Sequence, residues 1–159
     1  MADVVTIGAF GWSESGFFDT LVAARLGLFC DIRRRRGVRG SEYAFVNSVR
    51  LQARLEELGI PYVHRLDLAP SAEVRRVQAD VDVREGVPKR ARSHLGDAFV
   101  TAYSTEHLAS LDARAFLDKT TSNGPVCLFC VEREPAACHR SLVAAHLAAA
   151  GATVEHLLP

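Results

Sequence analysis

A single three-layer α/β/α fold with a mostly parallel, Rossmann-like sheet is the architecture this sequence predicts. Short apolar runs alternate along the chain with stretches of helical periodicity. The runs are continuous and lack strict apolar/polar alternation, as expected of strands covered on both faces. The chain has 159 residues, enough for one domain, 1–159, with a substantial core.

Val4-Val5-Thr6-Ile7-Gly8 reads as the first strand, ending in glycine. After a loop from Ala9 to Gly16, Phe18, Leu21, Val22 and Leu26 recur at helical spacing, and Gly27 is the expected stop. Leu28 to Ile32 is the second strand, followed at once by Arg33-Arg34-Arg35-Arg36-Gly37-Val38-Arg39-Gly40. Ser41 is the expected N-cap of a helix carrying Leu51, Leu55 and Leu58 and stopped by Gly59. Ile60 to His64 is the third strand, where Pro61 fits only at the start or on an edge.

From Pro70-Ser71 a helix is expected, with Val74, Val77 and Val81 on one side. The basic stretch from Arg84 to Arg92 holds Gly86 and Pro88 and reads as an exposed loop. Phe99, Tyr103, Leu108 and Leu111 suggest one or two more helices, and Asp112 caps a short one through Leu117. Ser122-Asn123-Gly124-Pro125 is a turn before the fourth strand, Val126 to Val131. The last helix is expected from Cys138 to Ala149, stopped by Gly151, and Val154 to Leu157 is a short final strand. Right-handed crossovers gather the ends of the first four strands on one edge, with Ser13 and Glu14, Asp31 and Arg33, His64, and Glu132 just beyond them.

Composition excludes several classes. No segment approaches the roughly 20 apolar residues of a membrane span, and no basic region followed by an apolar core opens the chain. Four cysteines in a chain of this length do not make a disulfide scaffold, so reduced thiols in a cytoplasmic setting are expected. Net charge is zero, yet residues 33–92 hold fourteen Lys/Arg against eight Asp/Glu, and seventeen of all nineteen cations are Arg. The middle of the chain is either an anion-facing surface or an ordinary solvated one.

The richest chemistry lies in Val126 to Ser141, where a strand leads through a turn to a helix opening on Cys138-His139-Arg140. Helix N-termini at strand ends are where α/β proteins place ligands. Cys138 is either a reactive thiol stabilised by the helix dipole or a buried cap residue. His139 shares a stripe with Leu142, Val143 and His146 and points inward, as a structural histidine or a base. Arg140 either clamps an anion or pairs with Glu132 or Asp31. Asp31 and Glu132 are candidate acid/base groups or ion-pair partners, and His64 is a second candidate histidine or a surface residue. Ser13 offers a hydroxyl to a phosphate. Cys30 and Cys127 read as core. Cys130 is either a small apolar filler or a neighbour of Cys138. There is no dinucleotide fingerprint, Walker motif or Gly-x-Ser-x-Gly elbow.

Thr6-Ile7-Gly8, Asp31-Ile32-Arg33, Phe45 before a Leu-rich helix ending Gly59-Ile60, Tyr62 and His64 form one set of landmarks. Leu128-Phe129-Cys130-Val131-Glu132 followed by Cys138-His139-Arg140, and the tail Val154-Glu155-His156-Leu157, complete it. Together they resemble the family catalogued as domain of unknown function 488, with Cys-x-Glu then Cys-His-Arg as the most specific part. The resemblance covers most of the chain. It implies an α/β fold and a shared polar cluster, and no reaction. The chain departs from the family where Arg34 to Gly40 stand in place of a Pro and Ser soon after Asp-x-Arg.

Three functions are therefore expected to compete. The first is an enzyme acting on a phosphorylated, nucleotide or nucleic-acid-like substrate. Asp31, His64, Glu132, Cys138 and His139 would serve its chemistry, and Ser13, Arg33 and Arg140 would hold the substrate. The second is a non-catalytic nucleotide or nucleic-acid binding module using the Arg-rich loops 33–39 and 84–92. The third is a zinc or iron site built from Cys130, Cys138 and His139, with Glu132 or Asp31 as a fourth ligand.

Overall fold

The computed structural model describes residues 1–88 and 91–159. Five strands, β1 (Val4–Ile7), β2 (Leu28–Asp31), β3 (Tyr62–His64), β4 (Val126–Phe129) and β5 (Val154–Leu157), form one sheet in the order β3-β2-β4-β1-β5. Every pairing is parallel. Helices α1 (Glu14–Ala23) and α2 (Ser48–Glu57) cover one face. Helices α3 (Ala72–Glu85), α4 (Asp97–Tyr103), α5 (Ala113–Thr120) and α6 (His139–Ala149) cover the other. The result is the expected three-layer α/β/α arrangement.

Strand side chains alternate between two cores. Val5, Ile7, Phe29, Cys127 and Phe129 meet Phe17, Leu21, Leu51 and Leu55 on the first face. Val4, Cys30, Leu128 and Val126 meet Val74, Tyr103, Phe116, Val143 and Leu147 on the second. Leu51 and Leu55 are fully buried, and each such side chain contributes about 1.5–3 kcal/mol over exposure. That burial holds α2 in place, since so short a helix is marginal on propensity alone.

The caps agree with the sequence in part. Ser71 accepts from Val74 N at the start of α3, and Asp112 accepts from Ala115 N at the start of α5. Ser41 caps nothing: a 3-10 turn at Ala44–Val46 intervenes, and Asn47 stands at the N-cap of α2. Nor does Gly27 stop α1, whose end is turned by Arg25 in the left-handed region at φ 53°. Gly27 is instead required by close packing, because a Cβ there would lie 2.7 Å from the Asn123 and Gly124 backbone. Val22, expected on the buried stripe of α1, is exposed, and Phe17 takes its place in the core. The basic stretch from Arg84 to Arg92 begins inside α3, and Lys89 and Arg90 lie outside the described residues.

Strand order places the functional edge. β2 and β4 are neighbours, but the chain leaves β2 for α2 on one face and leaves β4 for α6 on the other. Such a divergence opens a crevice beyond the strand ends. The loops that bound it are the arginine run after β2 and the Cys130–Cys138 connection after β4.

Among the described residues, no helix is long and apolar enough to cross a membrane.

Candidate active site

A cavity of about 590 Å³ fills this crevice. Cys130, Glu132, Cys138 and His139 line it from the β4–α6 connection, Arg33, Arg34, Arg35 and Arg39 from the loop after β2, and Arg75, Gln78 and Asp82 from α3.

His139 occupies the first position of α6 and is buried. Its Nε2 lies 2.9 Å from the Ile32 carbonyl. A carbonyl only accepts, so Nε2 carries a proton and Nδ1 is the position that titrates. Nδ1 faces two sulfurs, Cys138 Sγ at 3.7 Å and Cys130 Sγ at 3.9 Å. Cys130 Sγ in turn donates to Glu132 Oε2 at 3.3 Å.

Charge and burial act against each other here. Burial alone would raise the Cys138 thiol. The neighbouring Cys130 side chain, the charges of His139 and Arg140, and the bond to His139 outweigh it and hold the thiol well below its usual range. For His139 burial favours the neutral ring, but the Cys138 thiolate, the Ile32 carbonyl and Glu132 together raise its basicity. The pair thus favours thiolate and imidazolium. The core thiols behave in the opposite way, with burial pushing Cys30 up to about 12 and Cys127 higher still.

The flanking groups are held rigidly. Asp31 accepts from Arg33 Nε at 2.9 Å, from Arg33 Nη2 at 2.8 Å and from the Tyr62 hydroxyl at 2.7 Å. The Arg33 guanidinium also sits 4.6 Å over the Phe129 ring. His64 Nε2 donates to the Arg33 carbonyl at 2.7 Å. Two histidines, His139 and His64, therefore grip the successive carbonyls of Ile32 and Arg33 and fix where the arginine run leaves the sheet. Glu132 Oε1 accepts from Arg92 Nη2 at 3.2 Å, and Arg92 Nη1 reaches Asp82 at 2.8 Å.

Arg140 has a different place. It is wholly buried, and its Nη1 and Nη2 donate to the carbonyls of Glu132 and Arg133 at 2.5 and 2.9 Å. Its Nε meets Thr6 Oγ1 at 3.4 Å. It is not part of the cavity lining, and it pairs with neither Glu132 nor Asp31 through a carboxylate. The guanidinium braces the turn after β4.

The fold brings Arg33, Glu132, Cys138 and His139 together around the cavity, joined by Cys130. Asp31 and His64 stand behind them as supports for Arg33. Ser13 lies apart: its side chain caps α1 by accepting from Gly16 N at 3.1 Å. Arg92, from the Arg-rich stretch 84–92 named as a candidate anion-binding loop, lines the cavity beside Arg75, Gln78 and Asp82, which sequence reading did not single out. A signal existed for these three, since they share one stripe of α3 at helical spacing.

The same cluster has the composition of a metal centre. The ligand atoms of Cys130, Cys138 and His139 all lie within 4.8 Å of one another, and all three residues are buried. Ligand atoms around tetrahedral zinc stand about 3.5–3.8 Å apart, close to the sulfur–nitrogen separations found here. The bond from His139 Nε2 to a backbone carbonyl is the outer support that metal-binding imidazoles commonly have.

No curated protein and no solved structure matches the chain. A family model described as "Domain of unknown function DUF488" matches residues 15–147, which include β2, β3, β4, the cavity lining apart from Phe10, and the Cys138-His139 helix start. The chain belongs to this family.

Proposed function

We propose that this protein is an enzyme acting on a phosphorylated or nucleotide-like substrate, with the Cys138 thiolate as its nucleophile. The observation that carries the reading is the Cys138–His139 pair, 3.7 Å apart, at the floor of an arginine-lined cavity. The thiolate attacks the electrophilic centre while the bond to the leaving oxygen breaks. The imidazolium gives that oxygen the proton on Nδ1. Water then cleaves the covalent intermediate, returning a proton to Nδ1 and the thiolate to Cys138. Glu132 and Arg92 face the same space and orient the incoming water. Asp31 and His64 act as positioning residues through Arg33.

Selective alkylation tests this. At about pH 6, where an ordinary thiol near 8.5 is protonated, iodoacetamide is expected to label Cys138 while Cys30 and Cys127 stay unmodified by peptide mass mapping. Cys138→Ser should remove the fast phase. Equal, slow labelling of all four cysteines would contradict the assignment.

A metal-centred reading is favoured by the close approach of the Cys130, Cys138 and His139 ligand atoms. In that reading the cluster, with Glu132, holds zinc or iron(II) and presents it to the cavity. Elemental analysis of protein purified without added metal separates the two. One equivalent of metal, lost in Cys130→Ser, supports the metal centre, and metal-free protein with a fast-reacting Cys138 excludes it.

A further inference from the structure

The outer wall of the cavity carries a second chemistry. Arg34 is pinned by the carbonyls of Pro70 and Ala69 at 2.7 and 3.1 Å. Arg35 and Arg39 stand exposed at the rim, and Arg75 enters from α3. Among the described residues none of these four has a carboxylate partner. The two carboxylates that line the cavity, Asp82 and Glu132, are both engaged by Arg92.

Among the described residues, two buried donors of the cavity lining, Arg33 Nη1 and Arg75 Nε, have no hydrogen-bond partner. Arg33 is only 3% exposed, so water does not readily satisfy its remaining N–H. A buried unpaired donor costs about 1–3 kcal/mol. Arg75 is held below its usual pKa by burial and by the charges of Arg35 and Arg34. Cations gathered at such cost fit an anion with several oxygens, which guanidinium forks bind in pairs.

We infer that this outer subsite binds the phosphoryl groups of a small diphosphate-bearing substrate and presents that substrate's reacting end to Cys138. The inference rests on the enzymatic reading above and narrows its substrate class. A single phosphate carries about two negative charges and so leaves about two of the four guanidiniums unmatched, whereas a diphosphate matches them better. The volume of about 590 Å³ falls within the roughly 300–1,000 Å³ of small-ligand sites. Phe10, Val38, Leu95 and Phe99 supply apolar surface for the organic part. A nucleic-acid strand is the poorer fit, because it needs a groove with a series of stacking rings, and among the described residues Phe10 and Phe99 are the only phenyl rings in the lining.

Calorimetric titration with inorganic pyrophosphate tests the subsite. Saturable binding is expected, tighter than that of inorganic phosphate and weakened about tenfold or more in Arg75→Gln. Lys119→Gln, which removes an exposed cation outside the cavity lining, should bind within about twofold of the parent. If Arg75→Gln does not fold, Arg35→Gln, altered at an exposed position, carries the same expectation. Absence of saturable binding, or binding untouched by the arginine substitutions, overturns the inference. So does a single-stranded oligonucleotide that binds more tightly than pyrophosphate and displaces it. Pyrophosphate binding without fast alkylation of Cys138 would retain the anion subsite and remove the thiol enzyme. Fast alkylation without pyrophosphate binding would do the reverse.

Discussion

Arg140 shows how much a single side chain depends on its surroundings. Its position after Cys138-His139 invites an anion-binding role, yet its two terminal nitrogens are spent on the backbone carbonyls of Glu132 and Arg133. Removing it leaves the buried Glu132 carbonyl unmatched and turns the Arg133 carbonyl over to solvent. Arg140→Met is expected to lower unfolding free energy by about 3 kcal/mol, seen as a lower urea midpoint. Arg140→Lys should restore little, since an ammonium cannot reproduce the planar fork. An unchanged midpoint would show that the guanidinium is dispensable. His139 is the opposite case. An inward direction was legible from its stripe with Leu142, Val143 and His146. The carbonyl that fixes its proton comes from Ile32, 107 positions away, and such a partner leaves no local pattern.

At the scale of elements, the turn after β4 is the part on which the site depends. Gly8 ends β1 where a Cβ would lie 1.8 Å from the Glu132 carbonyl and 3.1 Å from Arg140 Nη1. Gly8→Ala must push this turn outward and break the contact between Arg140 and Glu132. A loss of about 1–3 kcal/mol is expected, together with slower alkylation of Cys138, and thermal melting with labelling kinetics checks both. Full stability in Gly8→Ala would mean the turn is more compliant than its packing implies. Helix α3 gives a plainer case. Ser71 accepts from Val74 N, and Ser71→Ala should cost about 1 kcal/mol by urea unfolding, with no measurable cost if the cap contributes nothing. The same helix explains a missed feature. Val74 and Val81 mark its buried stripe, which drew attention from the polar one. Gln78 is also buried, donating to Asp82 and accepting from Gly96 N. The spacing of Gln78 with Arg75 and Asp82 was readable, but its burial depends on Gly96, which no local pattern marks.

Across the whole molecule the architecture was the most legible level. Continuous apolar runs such as Val126 to Phe129 require cover on both faces, and alternation with helices supplies it. Strand order was not legible, because β2 and β4 are almost one hundred residues apart and their pairing leaves no sequence mark. That pairing creates the crevice, so the meeting of Arg33 with Cys138 had to come from the fold. The gathering of Cys130, Glu132, Cys138 and His139 was partly readable, since all four lie on one short connection. Ser13 and Arg140 sit near the same edge, but one caps a helix and the other braces a turn.

The account stands or falls on the ionisation of Cys138 beside His139. The direct measurement is the pH dependence of thiolate ultraviolet absorbance in the parent protein and in His139→Asn, with alkylation rates followed in parallel. The account predicts that one thiol of the parent ionises well below the usual value of about 8.5, that Cys138→Ser abolishes that transition, and that His139→Asn moves it upward. A parent protein whose first thiol ionises at or above the ordinary value, unaffected by His139→Asn, would contradict it.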